Sequence, residues 1–436
     1  MPKRQAYFDN ASTTPLDGRV LKAMMPYLKG DYGNPSNLYE TGRCARKAIV
    51  HASEQVAKAL HCRPDEFIFT GSATEADNLA LAGAARANKD RGNRIIVSAI
   101  EHKGILAVCE ALKKEGFEFI QVPVGKNGMI DLDILKKELN DKTIMVSVTM
   151  ADSETGTLQP IKEIAETIKD FRAKANGAEK GRAENRNADL PYFHTDASQA
   201  AAYADIDIEK LGVDMMTLSA HKLRGPKGIG GLFVRRGVKL NPIIYGGGQQ
   251  GRLRSGTENV PAIVGFGLAV ELNEKHKKTG SAKVKKLRDY LENGIFKSID
   301  KVVLNGHPNK RLPNFLNISI LDIEGESLLL ELDEHGIMIN TGSACNSESL
   351  EPSYVLTALG NPYEFVHGSI RFTLGAETTM ADVNHALKYL PKIVERLRSI
   401  SPLDLSANQK KAMSNPRAFV GNQTPHFLRK KKAKTN

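Results

Sequence analysis

From Glu66 onward the chain alternates short apolar runs with longer amphipathic stretches. EFIFTG closing at Gly71, RIIVSA over 94–99, FEFIQV over 117–122, IMVSVTMA over 144–151, YFHTDAS over 192–198, MMTLSAH over 215–221 and GGLFV over 230–234 read as strands. Thr74 to Lys89 and Gly104 to Glu115 read as the helices between the first of them, following earlier helices from Gly18 to Gly30 and Arg43 to Leu60. Strands and helices that take turns predict a parallel α/β sheet. From Pro261 the rhythm changes, with FLNISIL over 315–321, GSIRFTLG over 368–375 and a closing helix from Ala381 to Arg398, which predicts a second, smaller domain. Between Phe171 and Pro191 the chain is rich in charge and glycine, with no strand or full helical face, and reads as a surface insertion.

A parallel sheet places its ligand site beyond the carboxyl ends of its strands. Ser72 to Thr74, His102, Ser153 and Glu154, Asp196 to Gln199, and Ser219 to Lys222 all fall there and are predicted to converge.

Composition changes this picture little. The 436 residues are 41% hydrophobic and 25% charged, as in ordinary globular proteins. MPKRQAYFDNAST has no signal-peptide core, and AIVGFGLAV from Ala262 is too short and glycine-rich to span a bilayer, so a cytoplasmic enzyme with no membrane contact is expected. The four cysteines have no metal-ligand spacing, and no metal site is expected. Cys345 differs from the other three in lying within the small, polar segment TGSACNSESLEPS. Of the net charge of +11, residues 401–436 carry +7 and end in RKKKAKTN. The body keeps only +4 and carries no zinc-finger or aromatic RNA-binding signature. The tail is expected to be disordered and solvated, with a weak contact to RNA or an acidic protein as the alternative.

The candidate chemistry centres on SAHKLRGPKGIG over 219–230. Strand residues run into Lys222, and a glycine-rich turn stops any helix from continuing. A lysine at such a strand end can be desolvated and form a Schiff base with a carbonyl cofactor, although a lone lysine there would read as a surface residue. GSATEADN over 71–78 puts small residues at a strand-to-helix turn, where backbone N–H groups suit a phosphate as well as they suit a simple cap. Asp196 in HTDASQ would suit a protonated pyridine nitrogen, or serve as an ordinary turn residue.

With EHKG, GTLQPI, DASQ, SAHKLRGPKG, GGGQQGRLRSGTEN, NGHP and GSACNSESLEPS in this order, the sequence resembles the cysteine desulfurases of the NifS/IscS type, within the class V aminotransferases that use pyridoxal 5'-phosphate. The similarity runs from Tyr7 to Gly375. It implies the fold type I architecture: a large α/β domain with a seven-stranded, mostly parallel sheet between helices, and a smaller α+β domain. The implied division is an arm at 1–17 packing with the small domain, a large cofactor domain at 18–260 with a basic insertion at 172–190, and a small domain at 261–400 carrying a cysteine loop at 342–353.

The resemblance also implies roles. Lys222 would hold the cofactor covalently and then move the substrate's α-proton, Asp196 would pair with the ring nitrogen, and His102 would stack on the ring. Ala73, Thr74, Ser219 and His221 would bind the phosphate, with Thr257 reaching in from the second copy of a homodimer. Gln199 would hydrogen-bond the ring oxygen, and Ser153 would stand near it. Asn34 and Arg371 would bind the carboxylate of L-cysteine. Cys345 would take the sulfur as a persulfide, releasing L-alanine, and a mobile loop would carry it to an iron–sulfur scaffold protein or a tRNA-thiolating enzyme. Where the family has paired asparagines before Glu154, this chain has Asp152 and Ser153, and Tyr39 replaces a frequent histidine. The alternatives are another lyase or aminotransferase using the same cofactor, or a scaffold that keeps the fold without turnover.

Overall fold

The computed structural model describes residues 4–177, 189–341 and 352–400. Its strands are β1 (Ala6–Tyr7), β2 (Phe67–Thr70), β3 (Arg94–Ser98), β4 (Glu118–Val122), β5 (Thr143–Ser147), β6 (Tyr192–Asp196), β7 (Met215–Ser219), β8 (Gly230–Val234), β9 (Val302–Leu304), β10 (Phe315–Ile320), β11 (Ile337–Met338) and β12 (Ser369–Thr373). Seven of them form one sheet in the order β2-β8-β7-β6-β5-β3-β4. All neighbours are parallel except β8, which runs against both β2 and β7. Every residue of β2, β5, β6, β7 and β8 is buried, because helices cover both faces. That is why these strands show as continuous apolar runs rather than as an alternation.

Two further sheets complete the fold. β12, β10 and β9 form an antiparallel sheet, and β1 pairs in parallel with β11, which ties the N-terminal arm to the C-terminal third of the chain. Ala6 and Phe8 of the arm lie in the same apolar cluster as Leu316, Ile370 and Phe372.

A single helix of 39 residues, Val260–Ser298, belongs to both cores. Asn259 caps it by accepting the Ala262 N–H at 3.2 Å, and Pro261 sits in its first turn, where no N–H is needed. Val260, Ile263, Phe266 and Val270 pack into the large core, whereas Val284, Leu287, Leu291 and Ile295 pack into the small one. The division after residue 260 therefore falls at the start of this helix, and the change of core comes a few turns further along.

One expectation needs correcting. The stretch from 172 was read as lacking helix, but Ile161–Gly177 is a single helix, so the first residues of that insertion continue it. Arg172 is held there by bonds to Pro191 O and to the Asp214 carboxylate, a pairing with residues distant in sequence that local pattern does not show. The expected strand over 144–151 ends at Ser147, and the residues beyond it lead into the site.

Candidate active site

The carboxyl ends of β2, β3, β6 and β7 open onto one cavity of about 500 Å3. After β2 the chain turns at Ser72, whose hydroxyl accepts the Glu75 N–H at 3.1 Å and starts the Ala73–Asn78 helix. Glu75 in turn accepts the Gly71 N–H at 2.9 Å and pairs with Arg254 at 2.8 Å, which fixes the turn from two sides. Its N–H groups belong to a helix's first turn, where they lack intrahelical partners and favour an anion. Gly230 on β8 makes this possible. A Cβ there would stand 2.4 Å from the Ser72 carbonyl carbon and 2.6 Å from Ala73 N, so only glycine lets the strand pass so close.

After β3, His102 caps the next helix, accepting the Gly104 N–H at Nδ1 at 3.1 Å. The acceptor role at Nδ1 places the proton of the neutral ring on Nε2. The ring borders the open cavity, yet the loss of water around it still lowers its pKa from the usual value, with the Lys222 charge adding to this and Asp196 opposing.

After β6, Asp196 is 8% exposed and accepts the Ser198 N–H at 2.8 Å. After β7, Ser219 is buried, and the short turn Ala220–Lys222 presents Lys222 to the cavity. Thr14 pins this turn by donating to His221 O through its N–H at 3.1 Å and its hydroxyl at 2.6 Å. His221 meets Thr13 Oγ1 at 3.1 Å, and burial pushes its pKa down to about 4, so it is neutral.

The structure thus brings Ala73, Thr74, His102, Asp196, Ser219, His221 and Lys222 onto one cavity. It places the others elsewhere. Gln199 donates to Ala11 O at 3.0 Å and lines a second cavity of about 90 Å3 that meets the first at Lys222. Ser153 lines a third, of about 50 Å3, beside His102, Glu154 and Arg371. Asn34 borders none of these three, and its side-chain oxygen accepts the Ser36 N–H at 2.9 Å. Thr257 is exposed and also borders none of them within its own chain. Cys345 and the tail lie outside the described residues, as does 342–351 of its loop.

Arg371 reaches the smallest cavity from β12. Its guanidinium donates to Ser153 O at 2.7 Å, Asp9 Oδ1 at 2.8 Å and Ser12 Oγ at 3.0 Å, while its buried Nε meets no acceptor among the described residues. Asp152 holds the turn below. Its carboxylate accepts from Thr155 N at 2.6 Å, Thr155 Oγ1 at 2.5 Å and Glu154 N at 3.2 Å. Both of its oxygens work as acceptors, a task for which a carboxylate is better suited than an amide. Burial nonetheless raises its pKa, with those bonds opposing.

Two groups carry more than sequence reading assigned them. Burial, then the neighbouring Asp152, pushes Glu154 up to about 8, while Ser353 donates to its Oε2 at 2.5 Å. Asp77 is 1% exposed and lines the 500 Å3 cavity. Its only signal in sequence was an acid set among the apolar residues of GSATEADNLALAG, which a helix must turn inward.

Comparison with known proteins gives the same outline. The aminotransferase class-V family model matches residues 6–178 and 179–385. The chain is 46% identical over 400 residues to the cysteine desulfurase IscS of Methanosarcina thermophila, covering 92% of this chain and 94% of that protein. It is 45% identical over 397 residues to cysteine desulfurase IscS 1 of Archaeoglobus fulgidus, covering 91% and 99%. Among solved structures, a NifS-like protein superposes with a TM-score of 0.81 at 34% identity, covering 90% of this chain and all of the other. A structure described as SspA in complex with cysteine gives 0.73 at 31%, covering 86% of this chain and 100% of that one.

Proposed function

The chain belongs to the aminotransferase class-V family, and from that premise we infer that it is a cysteine desulfurase that converts L-cysteine to L-alanine. The observation that carries the reading is the meeting of Lys222, Asp196, His102 and the Ser72–Thr74 turn on one cavity. This donor set fits pyridoxal 5'-phosphate: an amine for its aldehyde, a buried carboxylate for its ring nitrogen, an imidazole for its face and a helix start for its phosphate. The buried Ser198 hydroxyl, which has no partner among the described residues, is a further polar group facing that space. When bound, the cofactor supplies an electron sink for the substrate's α-carbon, which no side chain provides.

The remaining work falls to the chain's own residues. Lys222, as an unprotonated amine, takes and returns the α-proton. Arg371 holds the substrate carboxylate next to His102, with its buried Nε and the bonds now made to Ser12 and Ser153 available for exchange. Ser219, His221, Ala73 and Thr74 hold the phosphate, and neutral His221 adds no charge that would compete with Lys222. Cys345 takes the sulfur: the substrate's C–S bond breaks, an S–S bond forms on the enzyme, and cysteine plus thiol becomes alanine plus persulfide with no external oxidant. Thr257 and the exposed face around it meet a second copy of the chain. The sulfur then passes to an acceptor that builds iron–sulfur clusters or thiolates tRNA.

The test uses the purified full chain with pyridoxal phosphate and L-cysteine. Alanine release, a sulfur-bearing Cys345 peptide by mass spectrometry and borohydride fixation of the cofactor on Lys222 are expected together. Unchanged alanine output from Cys345→Ser would instead favour another lyase or aminotransferase.

A further inference from the structure

Shortly after Lys222 the backbone takes a conformation that its side chain disfavours. Arg224 has a φ of 62°, in the left-handed region, where a glycine would sit freely. Strain of this kind persists only where the surroundings hold it. Thr14 Oγ1 accepts the Arg224 N–H at 3.0 Å while donating to His221 O, and the Arg224 carbonyl accepts the Asp17 N–H at 2.9 Å. The turn that presents Lys222 is therefore clamped by the arm, and the clamp sets the direction of the Arg224 side chain.

That guanidinium spans two carboxylates. Nη1 meets Asp17 Oδ2 at 3.2 Å, at the cap of the Gly18–Lys29 helix, and Nη2 donates to Glu377 Oε1 at 2.5 Å. Glu377 follows shortly after β12, the strand that carries Arg371. Its turn is itself fixed: the Gly375 N–H donates to Thr378 Oγ1 at 2.8 Å, and Lys283 of the long helix donates to Ala376 O at 2.7 Å. Lys222, Arg224 and Glu377 all line the cavity of about 90 Å3. The lysine turn and the Glu377 turn face each other across it, and the ion pair spans the gap.

Resting on the reading of Lys222 as the proton-transferring amine and Arg371 as the carboxylate clamp, we propose that Arg224 is a positioning residue: through Glu377 it sets the strand that carries Arg371 against the turn that carries Lys222. Lys222 must reach the α-proton of a substrate held by Arg371, so a displacement of about 1 Å between them can cost about 10²-fold in rate. The pair's side chains are 30% and 63% exposed, so it adds little to stability, which leaves alignment as its contribution.

Two substitutions cut the contact from opposite ends. Arg224→Gly keeps both backbone bonds, relieves the left-handed angle and removes only the guanidinium, while Asp17 retains Arg19. Glu377→Ala removes the other partner. With pyridoxal phosphate bound to the full chain, each is expected to lower kcat for L-cysteine by about 10-fold and to leave KM within about 3-fold. The isotope effect with α-deuterated cysteine should rise, because the proton step is the one slowed. The double variant should be no slower than either single one, since both act through one contact. Melting temperatures should stay within about 2 °C of wild type. In cofactor-free protein, hydrogen exchange of the 221–225 amides should quicken by about 5-fold or more in Glu377→Ala, although that residue is distant in sequence. Rates within about 2-fold of wild type, losses that multiply in the double variant, or activity that falls in step with melting temperature overturns the proposal. Absence of alanine formation by wild type overturns the reading of the site instead, and the exchange comparison then decides alone whether Glu377 steadies the lysine turn.

Discussion

The two cavities that share His102 are built in opposite ways. The larger rests on neighbouring strands of one sheet, and its side chains follow directly from strand ends with fully buried backbones. The smaller is assembled from the arm, the 152–155 turn, β10, β12 and the segment at 353–354, held together by ionic and polar bonds across the chain. The first kind of site is rigid because the sheet is rigid. The second is as firm as its hydrogen bonds, so it is the part that can respond to substrate and to pH.

Substitutions on the two sides should diverge accordingly. Lys222→Ala is expected to cut alanine formation by at least about 10³-fold while melting temperature hardly changes, since the sheet does not depend on that amine. A large loss of stability would break the contrast. Arg371→Ala is expected to lower kcat/KM for cysteine by about 10²-fold, chiefly through KM, and to leave Asp9 without its cationic partner, though still bonded to Ser12 and Asn340. Arg371→Lys should recover little of this, because an ammonium cannot span Asp9, Ser12 and the Ser153 carbonyl together.

Glu154 sharpens the comparison through pH. Its folded pKa of about 8 lies above the ordinary 4.5, so its contribution is fully present below about pH 4.5 and is lost as pH rises through 8. Wild type should lose about 5 kcal/mol at most relative to Glu154→Gln across that range, as read by urea denaturation at several pH values. Ser353→Ala removes both a bond to Glu154 and the cap of the Tyr354–Ala358 helix. About 1 kcal/mol of stability should go with it in the same denaturation series, the smallest of these effects.

The same contrast explains what could be read from sequence. The strands of the large sheet were legible because burial on both faces leaves a continuous apolar run, and Lys222 was legible because a glycine-rich turn follows it. The long helix was not, since it packs one stretch into each core and keeps no single apolar stripe along its length. Nor was the need for Gly230 near Ser72, which arises only when β8 lies beside β2. Glu154 was placed at a strand end, but its proton affinity comes from Asp152 and enclosure, which no local pattern encodes. Asp77 stands among apolar residues in the sequence, but that it lines the cavity follows from tertiary packing, which no local pattern encodes.

The Val260–Ser298 helix, about 58 Å from end to end at 1.5 Å per residue, acts as a common shaft. Loosening either end frays residues that the other end needs in register, so on heating the two halves are bound to give way together, as one cooperative unit.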